Sequence, residues 1–319
     1  MSNTILLSGA SGFVGKNLLQ YFLHQAPQVK FFQIRREKEA KDENSLTWDE
    51  IGNTILPELN AFIHLAGKAH DLKSVSDPSA YFDINTKLSL KLFEAFLRSS
   101  ATQFIFISSV KAVADEVEGI LTEEVFANPI TAYGQSKLLA EQEMHQALKT
   151  WREAHPTGKK KLIILRPCMI HGPGNKGNLN LLYQLVQKGI PWPLAAFENK
   201  RSFLSIENLC FAIHQFLTRD LSEGVYHIAD DDPLSTNELI KLIGEASNKK
   251  IKLIRIPKSY IIGLAKLGDN LKLPLNSERL QKLTENYEVS NAKLVKEISK
   301  SLPVKSKQGL LKTLKSFNK

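Results

Sequence analysis

The 319-residue sequence contains only two cysteines, Cys168 and Cys210, too few for a disulfide framework, which removes the small disulfide-stapled secreted classes. No apolar run approaches the length of a membrane span, and Met1-Ser2-Asn3 leads straight into a short strand without the charged region of a signal peptide. His, Cys and carboxylate side chains do not cluster at metal-ligand spacing. The triplet Asp230-Asp231-Asp232, followed by Pro233, reads as a loop before a helix, so no metal is expected. Aromatic residues, 8% of the chain, are not interleaved with basic ones into a stacking platform, so nucleic acid is not an expected partner. The expectation is a globular protein of the reducing cytoplasm with no membrane partner, long enough to bury a large core.

Charge is present but uneven. The net charge is +9, and residues 241 to 319 hold 18 Lys+Arg against 6 Asp+Glu, while the rest holds 24 against 27. Most of these C-terminal lysines read as a solvated helical surface; a funnel for an anionic substrate is the other reading.

Short apolar strands alternate with helical stretches: Val29 to Ile34, Ala61 to Leu65, Gln103 to Ser108, Lys161 to Arg166 and Val225 to Ile228. That alternation predicts an α/β fold, a Rossmann-like doubly wound parallel sheet with helices on both faces. After Pro233 the texture changes to helices and lysines, opened by the capping box Ser235-Thr236-Asn237-Glu238. Residues 172 to 200, rich in Gly, Pro and Asn, read as an excursion. The expected division is 1–170 plus 203–230 for the sheet domain, and 171–202 plus 231–319 for a smaller, mainly C-terminal domain.

Gly9-Ala10-Ser11-Gly12-Phe13-Val14-Gly15 stands between the strand Thr4 to Ser8 and a helical stretch from Lys16. Strand, glycine turn and helix form a phosphate cradle, because glycines let the backbone approach a pyrophosphate at the helix N-terminus. Downstream, Tyr133 and Lys137 are four residues apart in a helical pattern and so share a face. A nearby cation favours the phenolate, which predicts that Lys137 lowers the Tyr133 pKa toward neutrality for proton transfer.

Together these segments resemble the extended short-chain dehydrogenase/reductases, the NAD-dependent epimerase/dehydratase family, over nearly the whole chain. His64-Leu65-Ala66-Gly67 resembles the strand end laid against the cofactor, and Asn85 falls where the family has its mid-sheet asparagine. Phe104 to Ser109 resembles the strand bearing the catalytic serine, Leu165-Arg166-Pro167 with His171-Gly172-Pro173-Gly174 the R-P…Y-G-P-G segment, and Arg201 to Asn208 the stretch whose arginine grips a nucleotide diphosphate.

The resemblance implies Ser109, Tyr133 and Lys137 as catalytic residues. It implies a nicotinamide dinucleotide held by Gly9, Ser11, Gly12, Phe13, Val14, Gly15, Leu65, Ala66, Gly67, Asn85, Tyr133, Lys137 and Pro167. Arg35 and Arg36, where an acid would mark NAD, favour NADP over NAD. His70, Lys111, Asn178, Arg201 and Arg279 are the implied contacts to a UDP-sugar.

Departures from the pattern narrow the reaction. Val110 and Lys111 replace the Asp-Glu pair of the 4,6-dehydratases and the cysteine of 3,5-epimerising relatives, while Met169 and His171 depart from the UDP-hexose 4-epimerases. The Ser108-Ser109-Val110-Lys111 run and residues 174 to 178 most resemble bacterial surface-polysaccharide enzymes that reduce UDP-4-keto-6-deoxy-N-acetylhexosamines. A UDP-hexose 4-epimerase retaining NAD is the alternative, and a non-catalytic NAD(P)-binding sensor or assembly subunit the alternative of another class. A homodimer through two helices per subunit is carried over by analogy.

Overall fold

The computed structural model describes residues 4–37, 44–52, 56, 58–69, 77–175, 178–271 and 275–318. Seven strands form one parallel sheet: β1 (Thr4–Ser8), β2 (Lys30–Arg35), β3 (Ser45–Thr47), β4 (Ala61–His64), β5 (Gln103–Ile107), β7 (Lys161–Pro167) and β10 (Gly224–Ile228), with β6 (Ile120–Leu121), β8 (Met169–His171) and β9 (Phe203–Ser205) lying outside it. Their order across the sheet is β10-β7-β5-β4-β1-β2-β3. The chain winds from β1 toward β3, then crosses to β4 on the other side of β1. The switch point is therefore between the carboxyl ends of β1 and β4, where open α/β sheets bind ligands.

The central strands β1, β4, β5 and β7 are largely apolar because both faces are covered. Ile105 and Ile107 of β5 enter one core with Ile5, Leu7, Ile163 and Leu165, while Phe104 and Phe106 enter the other with Leu6, Leu162 and Ile164. Helices α1 (Phe13–Gln25) and α6 (Ile206–Thr218) contribute to the first core, α3 (Leu88–Arg98) and α4 (Ala132–Ala154) to the second. Between them in sequence lie α2 (Ser79–Phe82), followed by a π-helical turn at Asp83–Lys87, and α5 (Asn178–Gln187). The strand boundaries differ from the sequence reading by about one residue, since a strand ends where ladder partners end rather than where apolar residues do.

Two small parallel pairs flank the sheet, β6 (Ile120–Leu121) with β11 (Glu288–Val289) and β8 (Met169–His171) with β9 (Phe203–Ser205). A third core draws on none of the seven strands. It gathers side chains from α5, α7 (Thr236–Ala246), α8 (Lys258–Leu271), α9 (Ser277–Thr284) and α11 (Ser306–Lys315). The remaining helix is α10 (Ala292–Ile298). The capping box at Ser235 and Glu238 opens α7. No helix among the described residues is long and apolar enough to cross a membrane, and none of their His, Cys, Asp and Glu groups is arranged to hold a metal.

Candidate active site

The glycine turn occupies the switch point. Gly9 has φ +74°, and a Cβ there would lie 2.7 Å from the Ala66 nitrogen and 2.9 Å from the Leu65 carbonyl carbon. Position 9 thus needs glycine both for its left-handed backbone and because the loop after β4 touches it. A Cβ on Gly15 would lie 2.3 Å from the Gly9 oxygen, so α1 can approach the turn only with glycine there. Gly12 caps α1 without a side-chain acceptor, and Ser11 and Gly12 are exposed. Phe13 and Val14 begin the helix and pack partly against the first core. A helix N-terminus lacking a side-chain cap behind a close-packed glycine turn fits a pyrophosphate. Arg35 ends β2 opposite Thr47, Arg36 is exposed just beyond it, and Pro167 ends β7.

Ser109 and Tyr133 are brought together by the N-terminus of α4. Thr131 caps this helix, its Oγ1 accepting from the Gly134 nitrogen at 3.3 Å. The Asp115 carboxylate accepts from the Ile130 nitrogen at 2.8 Å, the Thr131 nitrogen at 3.1 Å and the Thr131 hydroxyl at 2.9 Å. Asp115, which the sequence reading passed over, therefore fixes where α4 starts. The buried Ser109 caps a single 3-10 turn at Val110–Ala112, its Oγ accepting from the Lys111 nitrogen at 3.2 Å, and its hydroxyl is near enough to Tyr133 to favour the phenolate. Burial pushes the phenol pKa above its ordinary value; the Ser109 hydroxyl works against that, and Tyr81 adds to it. The Tyr81 ring meets the Tyr133 ring edge-on at 6.2 Å.

Lys137, one turn on, is buried, donates to the Ile107 carbonyl at 3.0 Å and lies 4.7 Å from the Phe106 ring centre. Burial lowers its pKa to about 8, opposed by Glu141. The expected lowering of the Tyr133 pKa by Lys137 is absent. Burial raises that pKa instead, and the ammonium is directed at a backbone carbonyl.

Asn85 lies in the π-helical turn and not on a strand, a local widening often found at functional sites. Its Oδ1 accepts from the Lys68 nitrogen at 2.8 Å, and its Nδ2 donates to the Lys68 carbonyl and the Ser136 hydroxyl, each at 3.0 Å. A Cβ on Gly67 would lie 3.1 Å from both Asn85 Oδ1 and Lys137 Nζ, so glycine lets these two groups converge. The turn is tied back to the sheet. Ser89 Oγ donates to the Asn85 carbonyl at 2.7 Å and contacts His64 Nε2 at 2.7 Å, while His64 Nδ1 contacts Ser8 Oγ at 2.5 Å. Ser8, His64 and Ser89 are fully buried, and burial drives the His64 pKa to about 3, with Lys137 adding to the effect.

Glu141 follows Lys137 by another turn and is buried with Arg166. Arg166 Nε donates to both carboxylate oxygens at 3.1 and 3.2 Å, Nη2 makes a further bond, and Ser108 Oγ donates to Oε1. This network locks the ends of β5 and β7 to α4. Glu141 was missed in the sequence, although its spacing from Lys137 repeats that of Lys137 from Tyr133.

The expected substrate contacts are unevenly placed. Lys111 Nζ donates to the Asp115 carbonyl at 2.7 Å and stands 4.2 Å from the Tyr287 ring centre, with its pKa lowered by burial. Arg201 bridges to Tyr287 through its backbone. Its guanidinium donates to the Lys282 carbonyl and lies 3.5 Å from Glu285. Burial lowers its pKa too, Glu285 opposing. Lys111 and Arg201 thus converge on Tyr287, whose hydroxyl donates to the Ala114 carbonyl at 2.6 Å. Arg279 is exposed in the first turn of α9, the helix that also bears Lys282. Asn178 begins α5; His70 lies outside the described residues. His171 is buried and meets the Thr313 hydroxyl at 3.0 Å, so it belongs to the packing of α11.

A family model described as "NAD dependent epimerase/dehydratase family" matches residues 5–229. The chain belongs to this family. It is an enzyme of the extended short-chain dehydrogenase/reductase type, with NAD or NADP as cofactor. It is 30% identical to a "UDP-glucose 4-epimerase" of Vibrio cholerae over 275 residues, 81% of this chain and 80% of that protein. It is 25% identical to a "GDP-6-deoxy-D-mannose reductase" of Pseudomonas aeruginosa, with 81% and 84% covered. Among solved structures, RMD from Pseudomonas aeruginosa complexed with NADPH superposes with a TM-score of 0.73 at 19% identity, covering 99% of this chain and 100% of that one.

Proposed function

We propose that this enzyme reduces the C4 carbonyl of a UDP-4-keto-6-deoxyhexose, an N-acetylhexosamine derivative of surface-polysaccharide synthesis, with NADPH. The observation that carries the reading is the placing of Tyr133 beside the Ser109 hydroxyl, with the buried Lys137 one turn further along α4. Residues 1–170 with 203–230 would bind cofactor and 171–202 with 231–319 the sugar nucleotide; the separate third core supports that division.

The nicotinamide supplies or accepts the hydride. The glycine turn and the N–H groups of α1 would hold its pyrophosphate, Arg35 and Arg36 a 2′-phosphate, and Lys137 with Asn85 its ribose side. Tyr133, kept protonated at neutral pH by burial, donates its phenolic proton to the sugar oxygen, while Ser109 holds that oxygen and the phenol together. Neither Val110, apolar and buried, nor Lys111, held on Tyr287, offers the carboxylate or thiol needed for elimination or 3,5-epimerisation. Arg201 would grip the diphosphate through paired hydrogen bonds, helped by Arg279 and Asn178, with Lys111 and His70 toward the sugar.

The second reading is a UDP-hexose 4-epimerase retaining NAD, favoured by the 30% identity to the Vibrio cholerae protein. The test is NADPH oxidation with an enzymatically generated UDP-4-keto-6-deoxy-N-acetylhexosamine, beside epimer analysis of UDP-glucose and UDP-N-acetylglucosamine. Stoichiometric loss of NADPH supports the reductase; epimers without net cofactor consumption support the epimerase.

A further inference from the structure

Five of the fourteen exposed large hydrophobic residues among the described residues belong to α8, a helix of only 14 residues. Its buried stripe is Ile261, Ala265 and Gly268. A second stripe, Tyr260, Leu264, Leu267 and Leu271, has the same helical spacing, with exposures of 69%, 54%, 51% and 60%. At 100° per residue the second stripe is turned roughly 90° from the first, so the third core cannot cover it. Leu181 and Leu185 of α5, with Ile190 just beyond, are exposed as well.

The chain joining these two apolar faces is strongly basic. Residues 249–266 contain Lys249, Lys250, Lys252, Arg255, Lys258 and Lys266, all exposed, and no acid. Lys249 Nζ donates to the Gln187 carbonyl at the end of α5. The Trp192 nitrogen donates to the Lys252 carbonyl at 2.9 Å and the Ile254 nitrogen to the Trp192 carbonyl at 2.8 Å. The basic segment therefore runs beside the end of α5 and then enters α8. The first acid after it, Asp269, falls on the side of α8 opposite the second stripe and is occupied by the Ser277 nitrogen and hydroxyl at 2.9 and 2.6 Å.

We propose that this face docks on an anionic bilayer surface. The second stripe of α8 enters the boundary between headgroups and acyl chains, Tyr260 lies at headgroup depth, and the basic segment meets lipid phosphates. The charge decides among occupants: Lys249, Lys250, Lys252 and Arg255 lead into the helix with no acid among them, which a neutral apolar partner would not use, whereas Lys258 and Lys266 fall with Asp269 on the side of α8 away from the second stripe. The association is peripheral, departs from the expectation of no membrane partner, and is independent of which sugar the enzyme takes.

The test is co-sedimentation of the full chain with phosphatidylcholine vesicles, with and without phosphatidylglycerol, for the wild type and the exposed double variant Leu264→Gln/Leu267→Gln. Expected is pelleting with the anionic vesicles, weakened by salt, and a partition coefficient at least about tenfold lower in the variant. Circular dichroism and turnover of free nucleotide sugar should be unchanged. No pelleting of the wild type, or equal pelleting of the variant, overturns the proposal. So does light scattering that shows a dimer made monomeric by the same substitutions, which would identify the face as a subunit seam.

Discussion

The Cβ that Gly134 lacks would stand 2.3 Å from the carbonyl oxygen of Lys111. That close approach brings the first turn of α4 onto the 3-10 turn after Ser109, and so places Tyr133 beside Ser109. Gly134→Ala is predicted to push the two segments apart. Stability should fall by about 1–3 kcal/mol, and kcat/KM by on the order of 10²-fold, the cost of misplacing a catalytic group by about an ångström. Urea denaturation and steady-state kinetics measure the two; an unchanged kcat/KM would show that the contact does not set the site.

His64 makes a prediction about pH. Its folded pKa of about 3 lies below the ordinary 6.5, so the unfolded chain binds the extra proton between those values. Stability is therefore fully present above about pH 6.5 and is lost as pH falls toward 3, by about 1.4 kcal/mol per pH unit at most. His227, lowered to about 4 chiefly by burial, adds to the slope over the upper part of that window. His64→Gln should make the decline between pH 6.5 and 4.5 shallower in urea titrations. It should also lower kcat more than it raises KM, because Ser89 would lose the partner through which it steadies the Asn85 turn.

Removing half of the buried Glu141–Arg166 pair leaves an uncompensated charge. Glu141→Gln is predicted to cost about 3–5 kcal/mol in unfolding free energy. A loss below 1 kcal/mol would mean that water or Ser108 takes over the role of the carboxylate.

Arg201 is engaged by Glu285 and the Lys282 carbonyl. If this guanidinium binds the diphosphate, Glu285→Gln should lower KM several-fold by removing a competitor. Arg201→Lys should raise KM by about 10-fold or more with little change in kcat, since an ammonium cannot make the paired contact. Equal effects on kcat and KM would place Arg201 elsewhere in the reaction.

Much of the fold was legible because its signals are local. The five strands read from apolar runs recur within about a residue, and the glycine turn falls between β1 and α1. Tyr133 and Lys137 could be paired because a helix makes four-residue spacing a contact. The His64 contacts were not legible, since they join residues 56 and 25 positions away that no periodicity links. The electrostatic sign at Tyr133 was misread for a related reason. Spacing places a cation near the phenol but does not reveal how deeply both are buried, or that the ammonium turns to the Ile107 carbonyl. Arg201 was found as a cation, whereas its partner Glu285 lies on another segment of the chain.

The most direct measurement is NADPH oxidation by the wild type and Tyr133→Phe, each with the 4-keto-6-deoxy sugar nucleotide. One NADPH consumed per sugar by the wild type, and a rate lower by about 10²–10⁴-fold in a variant with an unchanged circular dichroism spectrum, is the predicted result. Undiminished turnover by Tyr133→Phe, or no NADPH consumption by the wild type while UDP-hexoses are epimerised, would contradict the account.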